Sequence, residues 1–351
     1  MASERDRSRC RERLERLSES TLDSDSLRRE VIGELQRTIG FDRWCWPLAD
    51  PETLLPCSGL AEHDFGPAVP RSLELEYSGH DFAAKNVLAR STKSAGSLRV
   101  ETGGDLARSP RWDEVMRRVG IGDIAAAACR DALGCWGWIE AYRDNSDRPF
   151  EQADLILLAK SGPGLGSALR RNAMRTSDGG SVQASEPGTI VLNHDLQPVS
   201  WTAGARAWID ALPSAKLLAG LGMLPTVVYP AATLARSGAT AAARALVQAV
   251  DGRWVMIEAA RLEGERPGEV AVNLRAAAAT ETFALLCRVY ALSRREREVV
   301  ALLVAGLDTR SITERLFISQ HTVQDHLKSV FEKIGIHSRG QLLAMLATSS
   351  D

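Results

Sequence analysis

The sequence predicts a multidomain α+β protein, with two antiparallel-sheet domains followed by an all-α unit of four short helices. Three observations predict it. A chain of 351 residues is longer than one small domain needs. Arg175 to Pro187 is rich in Ser and Gly, with Val182 as its one large apolar residue, which is the composition of a linker. Beyond residue 290, capping residues, helically spaced apolar stripes and stop glycines follow one another at short intervals.

Composition narrows the classes further. Lys and Arg number 43 against 45 Asp and Glu, so the overall charge of −2 points to no partner. Between Ala291 and Leu346 the basic surplus is only two, so any affinity for phosphate depends on where the bases sit. Cys10, Cys45, Cys57, Cys129, Cys135 and Cys287 form no Cys-x-x-Cys pair and follow no secretory signal, which implies reduced thiols and a cytoplasmic protein. No apolar run approaches the ~18 to 20 residues of a membrane span, so no membrane partner is expected.

Residues 1–21 are crowded with Arg and Glu around Leu14 and Leu17 and read as a solvated helix, a frayed tail or the extension of a dimer helix. Leu27, Val31, Ile32, Leu35 and Ile39 then share one helical stripe that Gly40 ends. Phe41, Trp44 and Trp46 run into Pro47, and Leu48 to Leu55 gives way to punctuation at Pro56 to Gly59, suggesting a hairpin. Asp123 to Arg130 and Gly134 to Arg143 flank the Asp131 to Gly134 turn as paired strands, and a closing helix starts near Glu151. Trp44, Trp46, Trp136 and Trp138 make one side of this sheet aromatic, either as a pocket for an apolar or planar ligand or as core. This order resembles a GAF sensory domain over residues 22–172. The resemblance implies a small-molecule effector but names no cofactor.

After the linker, placed at 173–186, Gly188 to Leu192, the turn Asn193-His194-Asp195, Pro198 to Trp201 and the helical Ala203 to Trp208 resemble the opening of a PAS domain. Trp254 to Arg261 and Glu269 to Leu274, joined by a turn at Gly264 to Gly268, would complete a PAS-like sheet within 187–280. Ala215 to Ala249 is too alanine-rich for its period to decide.

The last unit, 288–351, is the most explicit. Ser293-Arg294-Arg295-Glu296 is a capping box that opens a helix with Val299, Val300, Leu303 and Val304 inward, stopped by Gly306. Asp308 caps a second helix carrying Ile312 and Leu316. Only Phe317 and Ile318 separate it from Ser319, the cap of a third helix that buries Val323, Leu327, Val330, Phe331 and Ile334. So short a turn forces a steep crossing and leaves His321, Gln324, Asp325 and Lys328 on the open face. There Gln suits adenine, Asp accepts from cytosine and Lys donates to guanine. Arg310, Arg315, Ser319, Thr322, Lys333 and Arg339 are expected at phosphates. Ser338 to Gln341 is a second capping box, whose helix offers Leu342, Leu343 and Leu346 as a dimer edge.

These residues resemble the LuxR-type helix-turn-helix family. The match runs through Leu292-Ser293-x-Arg295-Glu296-Arg297-Glu298-Val299, Gly306-Leu307, Glu314-Arg315-Leu316-Phe317-Ile318-Ser319, Thr322-Val323-x-x-His326-Leu327 and Lys333-Ile334-Gly335. It implies a transcription regulator that binds double-stranded DNA as a homodimer, with RNA polymerase a further candidate partner. Lys328 matches a lysine that contacts bases in the family. Gln324 stands where the family often has lysine and Asp325 adds an acid that repels phosphate, so a relative's operator does not transfer; Arg294 replaces its usual proline and Thr313 its usual alanine, and neither threatens the fold.

Other chemistries lack their residues. The glycine-rich Ser161 to Ser167 has no Walker lysine and reads as a softened helix or hinge. His63 and His80, beside Asp64 and Asp81, are not at metal spacing. No nucleophile elbow or His-Glu metal helix marks an enzyme, so none is expected. An N-terminal enzyme with a helical docking module, a regulator controlled by phosphorylation, and a protein scaffold stay open as alternatives.

Overall fold

The computed structural model describes residues 3–63, 65–79, 81–174, 186–238, 243–264 and 266–347. Asp64, His80 and most of the expected linker, 175–185, lie outside the described residues.

The first unit runs through α1 (Glu4–Ser18), α2 (Ser24–Ile39), β1 (Arg43–Ala49), β2 (Pro56–Glu62), α3 (Val69–Tyr77), α4 (Lys85–Arg90), β3 (Ala95–Ser97), α5 (Leu98–Glu101), α6 (Pro110–Glu114), β4 (Ile121–Asp131), β5 (Gly134–Asp144) and α7 (Gln152–Asn172). Its strands form an antiparallel sheet in the order β2-β1-β5-β4-β3. Alternation along β4 and β5 sorts the side chains. The Ala125–Ala141 pair joins the core beneath α7, whereas the adjacent Ile124–Tyr142 pair joins a second cluster with Phe65, Leu75, Leu98 and Met116.

Two sequence expectations change here, and a third, the softened helix or hinge at Ser161 to Ser167, resolves to helix. The N-terminal segment is not a frayed tail: Cys10 and Leu14 are buried, and Arg7 reaches the buried Asp154 carboxylate at 2.9 Å. The Pro56 to Gly59 punctuation lies inside β2, an edge strand where Pro and Gly are tolerated, and the connection is the segment 50–55. The glycines of Ser161 to Ser167 sit within α7 and let it lie flat on β4. A Cβ at Gly162 would come 2.7 Å from the Ala128 carbonyl, and one at Gly166 would come 2.7 Å from Arg130 backbone.

The second unit contains β6 (Gly188–Leu192), β7 (Pro198–Trp201), α8 (Ala203–Ala211), α9 (Ala215–Ala219), α10 (Val228–Ser237), β8 (Arg244–Gln248), β9 (Trp254–Arg261) and β10 (Val270–Ala276). Its antiparallel order, β7-β6-β10-β9-β8, repeats that of the first sheet. The unassigned alanine-rich stretch supplies α9, α10 and β8; Ala231 and Ala232 of α10 are fully buried. The two units are pinned together by Leu246, whose amide donates to Asp50 at 3.0 Å, and by ion pairs Arg244–Glu52 at 2.7 Å and Arg236–Glu74.

Then come α11 (Ala279–Val289), α12 (Arg294–Val304), α13 (Thr309–Leu316), α14 (Gln320–Ile334) and α15 (Arg339–Ala347). The Arg170 guanidinium donates to Asp131 at 2.7 Å and to the Val289 carbonyl, tying α7 and the β4–β5 turn to the end of α11. All six cysteines are free. Among the described residues no helix is long and apolar enough to cross a membrane, and no His, Cys, Asp and Glu group could hold a metal ion.

Candidate nucleic-acid interface

Local chemistry fixes the four final helices. Ser293 accepts from the Glu296 amide at 3.3 Å, and Glu296 accepts from the Ser293 amide at 2.6 Å, completing the box at the start of α12. Asp308 accepts from the Ser311 amide at 2.8 Å and Ser319 from the Thr322 amide at 3.1 Å. The second expected box is offset: Ser338 caps the Gln341 amide at 3.1 Å, but the Gln341 side chain accepts from His337 rather than from Ser338. Between α13 and α14, Phe317 takes φ of +55° and turns the chain while its ring stays 94% exposed. Val323 and Val330 of α14 are fully buried beside Val299, Val300, Leu303 and Ile312.

The opposite face of α14 is open. His321, Gln324, Asp325 and Lys328 are all exposed, and the His321 ring sits 3.6 Å from the Asp325 carboxylate. Ser319 and Thr322 hydroxyls lie 2.9 Å apart at the start of the helix. Arg310 is exposed and pairs with Glu314 at 3.3 Å, while Arg315 and Lys328 are exposed without an ion pair among the described residues. Thr313, in the place of a smaller residue, satisfies its hydroxyl on the Arg310 carbonyl at 2.6 Å.

Two expected phosphate contacts are spent inside the bundle. The Lys333 ammonium binds both oxygens of the buried Glu296 at 2.7 and 2.8 Å, and Arg339 donates to the Leu307 carbonyl at 2.9 Å, holding the α12–α13 turn. Burial pushes the Glu296 carboxyl up, but hydrogen bonds from Lys333, the Ser293 amide and Ser329 outweigh it and hold the pKa at about 2. The expected dimer edge also changes. Leu342 and Leu346 are buried in the bundle of their own chain, and only Leu343 stays half-buried.

The tryptophans do not form a common pocket. Trp44, Trp46, Trp136 and Trp138 are all buried. A bulge in the β4–β5 register at Trp136 places that ring with Trp44 and Trp46 beneath the helices, whereas Trp138 packs with Ala49, Leu54 and Leu88. Of the four, Trp136 borders a cavity of about 550 Å³ between the two sheet units. Sequence inspection missed a buried charge cluster, Glu76, Lys85, Arg111 and Glu140, in which Lys85 and Glu140 alone are 55 residues apart and which leaves no local signal.

Residues 290–346 match the family model described as bacterial regulatory proteins, luxR family. The spore germination protein GerE of Bacillus subtilis is 42% identical over 55 residues, which are 16% of this chain and 74% of that protein. A putative HTH-type transcriptional regulator of Mycobacterium tuberculosis is 48% identical over 52 residues, 15% of this chain but only 6% of the relative's length. Among solved structures, SdiA in complex with octanoyl-rac-glycerol aligns over 97% of this chain and 94% of that chain at 12% identity with a TM-score of 0.34. The phage VqmA-DPO complex aligns over 47% of this chain and 82% of that one at 14% identity with a TM-score of 0.21, and neither likeness is close enough to carry an inference.

Proposed function

The chain belongs to the luxR family of bacterial regulatory proteins, and from that premise we propose that it is a transcription regulator that binds preferred sequences in double-stranded DNA under the control of its two sheet units. The observation that carries this is the open polar face of α14, presented by a turn of two residues and backed by a fully formed apolar bundle. A bundle serving packing alone has no need of an exposed polar helix face immediately after so tight a crossing. Gln324, Asp325 and Lys328 read base edges, with His321 beside them, while Arg310, Arg315, Ser319 and Thr322 set the register on phosphates.

The first unit is read as GAF-like and the second as PAS-like. What supports this is a pair of antiparallel sheets with the same strand order, each flanked by helices. As sensory units they would answer a small molecule or a protein partner. Binding as a homodimer to paired half-sites follows the symmetry of operator DNA, and the second copy must then be held by surfaces other than Leu342 and Leu346.

The test is a gel-shift titration of the full chain on DNA from its own locus, repeated across salt. Retention that discriminates this DNA from scrambled competitor, and weakens steeply as salt rises, supports the proposal. Equal binding to every duplex, or none at low salt, removes it.

A further inference from the structure

The first sheet and the second unit enclose a cavity of about 370 Å³. Its walls are largely apolar, with Pro47, Leu60, Val69 and Leu73 on one side and Leu218 and Leu221 from the α9 region on the other. That volume falls in the range of about 300 to 1,000 Å³ typical of small-molecule sites.

Its charged lining is already paired. The Lys85 ammonium lies 2.7 Å from Glu76 and 2.8 Å from Glu140. Arg111 reaches Glu76 at 2.9 Å, Glu140 at 2.6 Å and Asp81 at 3.2 Å. The Tyr142 hydroxyl donates to Glu140 at 2.7 Å. An ion of either sign entering here would lose its water and find each counter-charge taken. An anion would also meet a cluster in which three carboxylates face two cations. Two polar atoms of these lining residues lack a hydrogen-bond partner, and both are buried: Arg111 Nε, 3.2 Å from the Asp81 carboxylate, and the Tyr77 hydroxyl.

We propose that this cavity binds an uncharged, predominantly apolar small molecule. Because the walls come from both sheet units, an occupant bridges them and favours the arrangement that closes on it. The proposal deepens the sensory role given to these units and rests on it for any consequence at DNA.

Two fluorescent probes that differ by one sulfonate test it on the full chain: neutral N-phenyl-1-naphthylamine and anionic 8-anilino-1-naphthalenesulfonate. The neutral dye should saturate at one per chain, with the sulfonate bound at least about tenfold more weakly. Ala61→Trp fills the cavity from an exposed wall position, and Leu221→Glu places a charge at a wall residue that is 51% exposed, so neither disturbs the buried core. Each should weaken the neutral dye at least about tenfold while thermal unfolding stays as in the parent. Absence of saturable binding by the neutral dye, equal affinity for the sulfonate, or parental affinity in either variant overturns the proposal. Gel shift of the same preparations is scored separately, so loss of DNA binding with dye binding intact counts against the regulatory role and not against the cavity.

Discussion

Replacing Lys333 with methionine separates two roles that a lysine near a recognition helix can play. If it met phosphate, its loss would reduce the salt dependence of DNA binding, since each phosphate contact contributes about −0.9 to the slope of log K against log salt. The geometry assigns it instead to Glu296, whose side chain is 5% exposed and which also accepts from the Ser293 amide at 2.6 Å and from Ser329 at 2.7 Å. Removing the ammonium leaves a buried carboxylate short of its charged partner. Breaking a fully buried pair costs about 3 to 5 kcal/mol, but the Lys333 side chain is 37% exposed, so water replaces part of the loss and about 1 to 3 kcal/mol is expected. Methionine keeps the length of the stem, which confines the change to charge. Hydrogen exchange of the amides in α12 and α14 of the full chain reads this locally, without requiring the whole molecule to unfold in one step. Protection there should fall by a factor of about 5 to 150, while the salt slope of DNA binding at a temperature where the bundle is folded stays as in the parent. Unchanged protection together with a slope lower by about one would refute the assignment.

Lys328→Ala should weaken binding to the preferred DNA by about 1 to 3 kcal/mol and relax discrimination at one base position, measured by competition gel shift. Arg315→Ala should weaken preferred and scrambled duplexes alike and lower the salt slope by about 0.9. Glu296 has a folded-state pKa of about 2, below its ordinary value, so the stability it contributes is fully present above the ordinary carboxylate range and is lost as pH falls toward 2. Glu296→Gln should therefore lower bundle stability at pH 7 and flatten its decline between about pH 5 and 2, followed by hydrogen exchange across that interval. Gly166→Ala would place a Cβ 2.7 Å from Arg130 backbone and should lower the thermal midpoint through overpacking of about 1 to 3 kcal/mol between α7 and β4.

The legible parts of this sequence are those in which the deciding contacts are local. Ser293, Asp308 and Ser319 bond amides three residues away, so the starts of three helices can be read directly, and the β4–β5 hairpin is marked by its Asp131 to Gly134 turn. Alanine is small and neither strongly apolar nor polar, so it blurs the periodicity that separates helix from strand, which hid α9, α10 and β8. The apolar edge of α15 was legible as an edge, but periodicity does not tell whether its partner is the same chain or another, and Leu342 and Leu346 turn inward. Charge gave the same ambiguity. Lys333 and Glu296 are 37 residues apart, and only the crossing of α12 and α14 converts an apparent phosphate contact into an internal pair. The aromatic alternation in β5 was undone by a single bulge at Trp136.

The Arg170 side chain grasps the Val289 carbonyl, 119 positions on in sequence and just before the DNA-reading helices begin, and the Asp131 carboxylate at the tip of the first sheet. Arg288, the neighbour of Val289, reaches back to the Pro51 carbonyl in the β1–β2 connection at 3.4 Å. The reading head is thus moored directly to two hairpin tips of the first sheet. The two guanidinium clasps give the head direct contacts with the first sheet, in addition to its chain connection through the second unit.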